Sequence, residues 1–295
     1  MHLSPLCAAA ALAAVMACAP RSPGAAEPAP TATPPPPSPL PSPYPPRSTD
    51  AVRLGPSALR YVLHQQVHAE QEFQGQTQTI DRRISLFVSA TITGPADSVG
   101  YPLAVTIDSM VPDSGTAIPP TVNLAAARGL RYSGRLAPSG EFRGAVPSDS
   151  ARAQAFAQLA GGFVRTFYPR LPVGGLTLGA EWTDTVTTTD RTVVEVTIRS
   201  VQRARVASWE ERSGARCLRL EVNAAYTVAG AGEQGGQPLQ VAGSGTRSTV
   251  QFVAVDGRYM GGEFKDSSAI VVTLPMQGAT VPVRQLSRYT VTVRP

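Results

Sequence analysis

A chain of 295 residues with 26 lysines and arginines against 21 aspartates and glutamates carries a formal charge of +5. Its pI near 9.4 comes almost wholly from arginine, since Lys265 is the one lysine. The basic residues are dispersed, with Arg82-Arg83 and Arg203 with Arg205 the nearest approach to clusters, so nothing marks a nucleic-acid surface and a mildly basic solvated exterior is expected.

The first seventeen residues contain no Lys, Arg, Asp or Glu, and Leu6 to Ala17 is nearly all Ala, Leu, Val and Met. This reads as the apolar region of a signal peptide over 1–17. It is too short to span a bilayer core, which needs about 20 apolar residues. Val15-Met16-Ala17-Cys18 resembles the bacterial lipobox: an aliphatic residue, a tolerant position, a small residue, then cysteine. The resemblance implies that the Cys18 thiol takes a diacylglyceryl group and anchors the chain to a membrane. Ala19 follows in place of Asp, which implies sorting to the outer membrane, facing the periplasm. Ordinary cleavage at Ala17-Cys18-Ala19 is the alternative, although Pro20 would hinder it. With Cys7 removed and Cys18 lipidated, only Cys217 remains, so no intramolecular disulfide is available even in an oxidising compartment.

Residues 18–50 read as a tether. Almost half of Pro20 to Pro46 is proline, which fixes its own φ and biases its predecessor to extended geometry, so a polyproline II spacer is expected. At about 3.1 Å per residue it could reach on the order of 90 Å. The roughly 245 residues beyond it suffice for one large domain or two small ones.

From Ser57 onward the apolar period becomes two, the mark of strands with one buried face. Leu59, Tyr61, Leu63, Val67 and Ala69 share one side; so do Ile84, Leu86, Val88, Ala90 and Ile92; then Leu103, Val105 and Ile107. Leu130 to Leu136 and Phe142 to Val146 flank a hairpin turn at Pro138-Ser139-Gly140. A helix is expected over 148–170, with N-cap oxygens at Ser148-Asp149-Ser150, a stripe through Phe156, Leu159, Ala160, Phe163 and Phe167, and a stop at Pro169. Strands resume through Val194 to Ile198, Leu218 to Val228, Val250 to Val255, Ile270 to Leu274 and Tyr289 to Val293. The Gly-, Gln- and Ser-rich stretch from Ala229 to Gly245 reads as a long mobile hairpin loop, and Asp256-Gly257 as a tight turn.

The fold class is therefore mainly β, with antiparallel curved sheet. Two arrangements stay open: two β-meander halves, 51–147 and 171–295, around one central helix, or a single continuous sheet. Ala137-Pro138-Ser139-Gly140-Glu141-Phe142 matches Ala254-Val255-Asp256-Gly257-Arg258-Tyr259 only over a few residues.

Leu171-Pro172 followed by Leu178-Gly179-Ala180-Glu181-Trp182-Thr183-Asp184 resembles a Pro…Gly-x-x-Trp strand start of uncharacterised bacterial lipoproteins, themselves similar to periplasmic half-barrel carriers of the LolA and LppX type. That resemblance implies a curved antiparallel sheet wrapped over helices, with a concave apolar face able to hold an acyl chain. It attaches no chemistry to the motif.

No catalytic constellation stands out. His64-Gln65-Gln66-Val67-His68 has the outer spacing of a zinc-protease helix but Gln where the catalytic Glu belongs, and it lies in a strand, where the two rings would sit about 13 Å apart. No Gly-x-Ser-x-Gly supplies a nucleophile, and Gly262 stands where a serine would have to precede Lys265. Glu210-Glu211 and Asp184 with Asp190 read as surface acids. Gly243-Ser244-Gly245 lacks the strand-to-helix setting of a phosphate loop, and Cys217 reads as an inert thiol at a strand start. The expectation is a membrane-anchored, non-enzymatic lipoprotein with no cofactor, no metal and no nucleic-acid partner, whose β domain binds an apolar ligand or an envelope protein. A structural lipoprotein with a filled core is the alternative, and a hydrolase the third.

Overall fold

The computed structural model describes residues 51–294 apart from 74, 114–115, 117–123, 154–155, 157–162, 192–193 and 235. Cys18 and the tether thus lie outside the described residues. The alternating stretches form eleven strands: β1 Ser57–Phe73, β2 Gln76–Ile92, β3 Tyr101–Pro112, β4 Arg131–Leu136, β5 Phe142–Pro147, β6 Glu181–Arg191, β7 Val194–Arg212, β8 Ala215–Gln234, β9 Gln237–Ala254, β10 Tyr259–Leu274 and β11 Ala279–Arg294. All belong to one antiparallel, open and curved sheet in the order β5-β4-β3-β2-β1-β11-β10-β9-β8-β7-β6. The chain starts at the centre, steps outward through β5 to one edge, passes to the other edge at β6 and steps back until β11 pairs with β1. The two meanders are therefore the two flanks of a single sheet, joined where Tyr61 faces Val293 and Gln71 faces Val283.

Residues directly opposite each other in such a ladder share a face. Apolar positions on β1, β2 and β3 register together: Leu63 faces Leu86 and Val291, and Ala90 faces Val105. This is the inner face, onto which described residues of the connecting segment 148–180 pack, Phe156, Phe167, Leu171 and Leu176 among them. Asp149 caps the start of that segment, its carboxylate accepting from the Arg152 N–H at 2.9 Å. Residues 150–153 and 156 are helical, but the helix expected over 148–170 does not run to Pro169: Phe163–Thr166 is a 3-10 turn and 167–170 carry no helix, while 154–155 and 157–162 lie outside the described residues. The β4–β5 turn needs its glycine, because Gly140 has φ of 78° and a Cβ there would stand 1.8 Å from the Pro169 carbonyl oxygen.

One expectation is overturned. The stretch from Ala229 to Gly245 is not a long loop: β8 runs to Gln234 and β9 starts at Gln237. Its glycines are close-packing positions. A Cβ at Gly243 would lie 2.5 Å from the Ala269 carbonyl oxygen and 2.8 Å from Ile270 Cα, and one at Gly230 would lie 2.7 Å from the Glu195 carbonyl oxygen. Composition alone mistakes glycine required by crowding for glycine that supplies freedom.

Candidate functional site: the inner face of the sheet

The inner face falls into three zones along the strands. At one end the connecting segment closes it. Phe167 packs edge-on against Tyr61, with ring centroids 4.9 Å apart, and against Tyr259 at 5.5 Å, while Tyr168 stands 5.1 Å from Phe167 and 5.6 Å from Tyr259. The Tyr61 hydroxyl donates to the Tyr259 carbonyl at 2.9 Å. Burial raises the phenol pKa of Tyr61, Tyr168 and Tyr259, so these hydroxyls stay protonated and act as hydrogen-bonding groups. One contiguous core joins these rings to Leu86 and Val105 on one flank and to Val206, Leu218 and Leu220 on the other, with Phe156, Val164 and Leu171 between them. The curl of the sheet brings both flanks onto the same plug.

At the opposite end lies a second core made of strand side chains alone. It holds Phe73 of β1, Val194 and Val196 of β7, Tyr226 and Val228 of β8, Leu239 and Val241 of β9, Ile270, Val272 and Leu274 of β10, and Val281 and Val283 of β11. Among the described residues, the connecting segment contributes nothing to it.

Between the two cores the inner positions turn polar on strand after strand while staying withdrawn from solvent. Gln65, Arg82, Thr249, Asp266, Ser268, Gln285 and Ser287 are all buried there, while the buried Gln251 stands in the row of Leu63 and Gln71 in that of Val283, within the two cores. The register aligns one row across the sheet: Arg82, Val67, Ser287, Asp266, Arg247, Ala224, Gln202 and Asp184. Arg247 donates from Nε and Nη2 to one oxygen of Asp266, at 3.2 and 3.1 Å. Burial raises the Asp266 carboxyl pKa to about 6, although Arg247 opposes that shift; desolvation of a side chain only 1% exposed outweighs one partly exposed partner. Gln285 donates to Ser287 at 3.0 Å, Gln251 to the Tyr259 hydroxyl at 3.4 Å, and Gln71 to Gln78. Gln65 Nε2, Asp266 Oδ1 and Ser268 Oγ are buried with no hydrogen-bond partner.

The residues weighed from sequence sit elsewhere. His64 and His68 are on the outer face, His64 Nδ1 at 2.9 Å from Ser85 Oγ and His68 Nδ1 at 2.9 Å from Asp81, whose hydrogen bond raises the His68 pKa. Glu210 pairs with Arg219 at 2.9 Å. Asp184 opposes Gln202 and Asp190 opposes Val196, so six residues of strand, roughly 20 Å, separate the two acids. Arg82 points inward and Arg83 outward, and Arg205 pairs with Glu221 at 2.7 Å. Cys217 is fully buried with Phe252, Ala254 and Met260, and burial pushes its thiol up to about 11. Among the described residues no three His, Cys, Asp or Glu side chains are grouped to hold a metal ion, and no helix is long and apolar enough to cross a membrane.

No protein-family model matches the chain, and no curated protein matches it. Among solved structures, one similar chain is a DUF1329 family protein from Desulfovibrio piger. The identity is 9%, the alignment covers 76% of this chain and 83% of that one, and the TM-score is 0.13. A likeness at that level carries no argument about ligand or mechanism.

Sequence reasoning missed the polar belt. Its signal was present as interruptions of the apolar alternation: Gln65 between Leu63 and Val67, Asp266 and Ser268 ahead of Ile270, and Gln285 and Ser287 after Val283. Each interruption reads as an ordinary weak strand until the register lays them side by side.

Proposed function

We propose that the chain is an exported lipoprotein, anchored through a lipid on Cys18 at the periplasmic side of an outer membrane, whose curved sheet binds an apolar ligand on its inner face without transforming it. The observation that carries the ligand reading is the asymmetry of the inner face. One end is closed by the chain's own aromatic plug, whereas the other is an apolar core of strand side chains from β1 and β7 to β11, each 9% exposed or less, to which the described part of the connecting segment adds nothing and which an alkyl chain would enter by parting those side chains. Binding by apolar area alone is worth about 25 cal/mol per Å² removed from water, enough for a long alkyl chain to be held without any charged contact.

The anchor rests on the lipobox resemblance of Val15 to Cys18. Two or more acyl chains would make the attachment stable, at about 0.8 kcal/mol per buried CH₂ group. Cys18→Ala should move the protein from the membrane fraction to the soluble one, and unchanged retention would refute lipidation at that residue. The ligand reading is tested by native mass spectrometry of this Cys18→Ala chain purified without detergent. A stoichiometric adduct that extracts into organic solvent is the expected result. A mass matching the bare chain, together with no binding of the apolar reporter N-phenyl-1-naphthylamine, would leave the sheet a structural element.

A further inference from the structure

Granting that apolar ligand, the polar belt defines what kind of molecule it is. Asp266 and Ser268 are successive inner positions of β10, about 7 Å apart along the strand. Asp266 faces Ser287 and Ser268 faces Gln285 on β11, while Gln65 sits one inner position from Val67, which also faces Ser287. The three groups thus fall in three successive inner rows: that of Ser268 borders the strand-only core, which begins at Ile270 and Val283, that of Asp266 is next, and that of Gln65 lies beyond it toward the plug. Gln65 is 5% exposed, Asp266 1% and Ser268 0%, and Gln65 Nε2, Asp266 Oδ1 and Ser268 Oγ lack partners. A core that the chain filled by itself would have apolar residues here or would satisfy these atoms internally.

The chemistry of the unmet atoms is selective. Asp266 Oδ1 only accepts, the Ser268 hydroxyl donates and accepts, and the Gln65 amide nitrogen donates. The guanidinium of Arg247 is already turned onto the other oxygen of Asp266, and Arg82, the other inward cation of that row, stands three strands away on β2, so neither offers a ready counter-charge to a ligand anion beside Asp266. A ligand carboxylate or phosphate placed here would meet the Asp266 carboxylate in a setting of low dielectric, whereas a hydroxyl or amine would donate to it. We propose that the belt recognises the hydrogen-bond-donating head of an amphipath, a hydroxyl or amino group carried on an alkyl chain, with the chain lying along the strand-only core. This rests on the apolar-ligand reading above and adds the polar half of the ligand.

The test is displacement of N-phenyl-1-naphthylamine at pH 7.5 from the full Cys18→Ala chain by three competitors of equal chain length: 1-monopalmitoylglycerol, hexadecylamine and palmitate. At least one donor-headed competitor should displace the reporter at a concentration at least tenfold lower than palmitate does, and which of the two does so identifies the donor as hydroxyl or amine. Adding Ser268→Ala should reduce that preference at least threefold while leaving palmitate unchanged, and Asp266→Asn, a second and independent variant that removes the charged acceptor, should reduce it by a similar factor. Palmitate displacing as well as both donors, or a preference that survives both variants, would overturn the head-group assignment and leave the apolar-ligand reading standing. Failure of the reporter to bind at all would overturn both together.

Discussion

Asp266 is the side chain whose environment departs furthest from what its type prefers. Its carboxyl titrates at about 6 in the fold against an ordinary 3.8, because burial costs the charged form more than the Arg247 guanidinium returns. Between those two values the folded protein holds a proton that the unfolded chain has released, so stability falls as pH rises through that window. A shift of this size corresponds to about 3 kcal/mol. Asp266→Asn removes the titration, and urea unfolding at pH 4 and pH 7 should show the parent losing roughly that much more stability than the variant over the interval. Parallel pH dependences of the two proteins would mean that Asp266 is solvated in the native state. The same residue shows the limit of reading one chain position at a time. In sequence it is one acid among 21, two residues before a serine, and only its pairing with Arg247 across β9 and β10 reveals it as buried.

Among the elements, the connecting segment and the glycine-rich hairpin were legible to opposite degrees. The Phe156 and Phe167 stripe was readable as core because helical spacing keeps apolar residues on one side, and both rings do enter the main core. What spacing could not disclose is the partner: Phe167 meets Tyr61 and Tyr259, residues 106 and 92 positions away in sequence. Phe167→Ala should cost about 3–5 kcal/mol in urea unfolding through the cavity it leaves, and a loss below about 1 kcal/mol would show that the plug does not close that end of the sheet. The hairpin of β8 and β9 misled because its glycines look like loop residues. Gly243→Ala would press a methyl group on the backbone of Ala269 and Ile270, atoms that cannot move without opening the β9–β10 ladder, at about 1–3 kcal/mol. Gly174→Ala, with nothing within 4 Å of the new Cβ and no positive φ, should be neutral or slightly stabilising. Equal effects of the two substitutions in thermal unfolding would return the stretch to the loop that its composition suggests.

At the scale of the whole molecule, the period-two alternation discloses which residues of each strand face inward but not the order of the strands. Nearly every neighbouring pair is linked by a short turn and can be guessed from chain order; the pair that unites the sheet, β1 with β11, is linked by no turn at all. Its register, from Arg60 facing Arg294 to Gln71 facing Val283, joins residues more than 200 positions apart, so the ends of the chain must find each other across a large loop-closure cost before the centre of the sheet exists. Such a seam makes the two meanders one cooperative unit, because β1 and β10 each bury an inner face and satisfy a backbone edge through β11. A chain terminated after Leu274 would leave two five-stranded pieces, each with a newly exposed central edge, and would strip Val281 and Val283 from the strand-only core and Val291 from the main core. That chain is expected to lose its sigmoidal urea transition by near-ultraviolet circular dichroism and to associate on size-exclusion chromatography. If instead it unfolds cooperatively with a midpoint close to the parent's, the halves are independent domains, and neither the common curvature of the sheet nor a ligand site spread over β1 and β10 can stand.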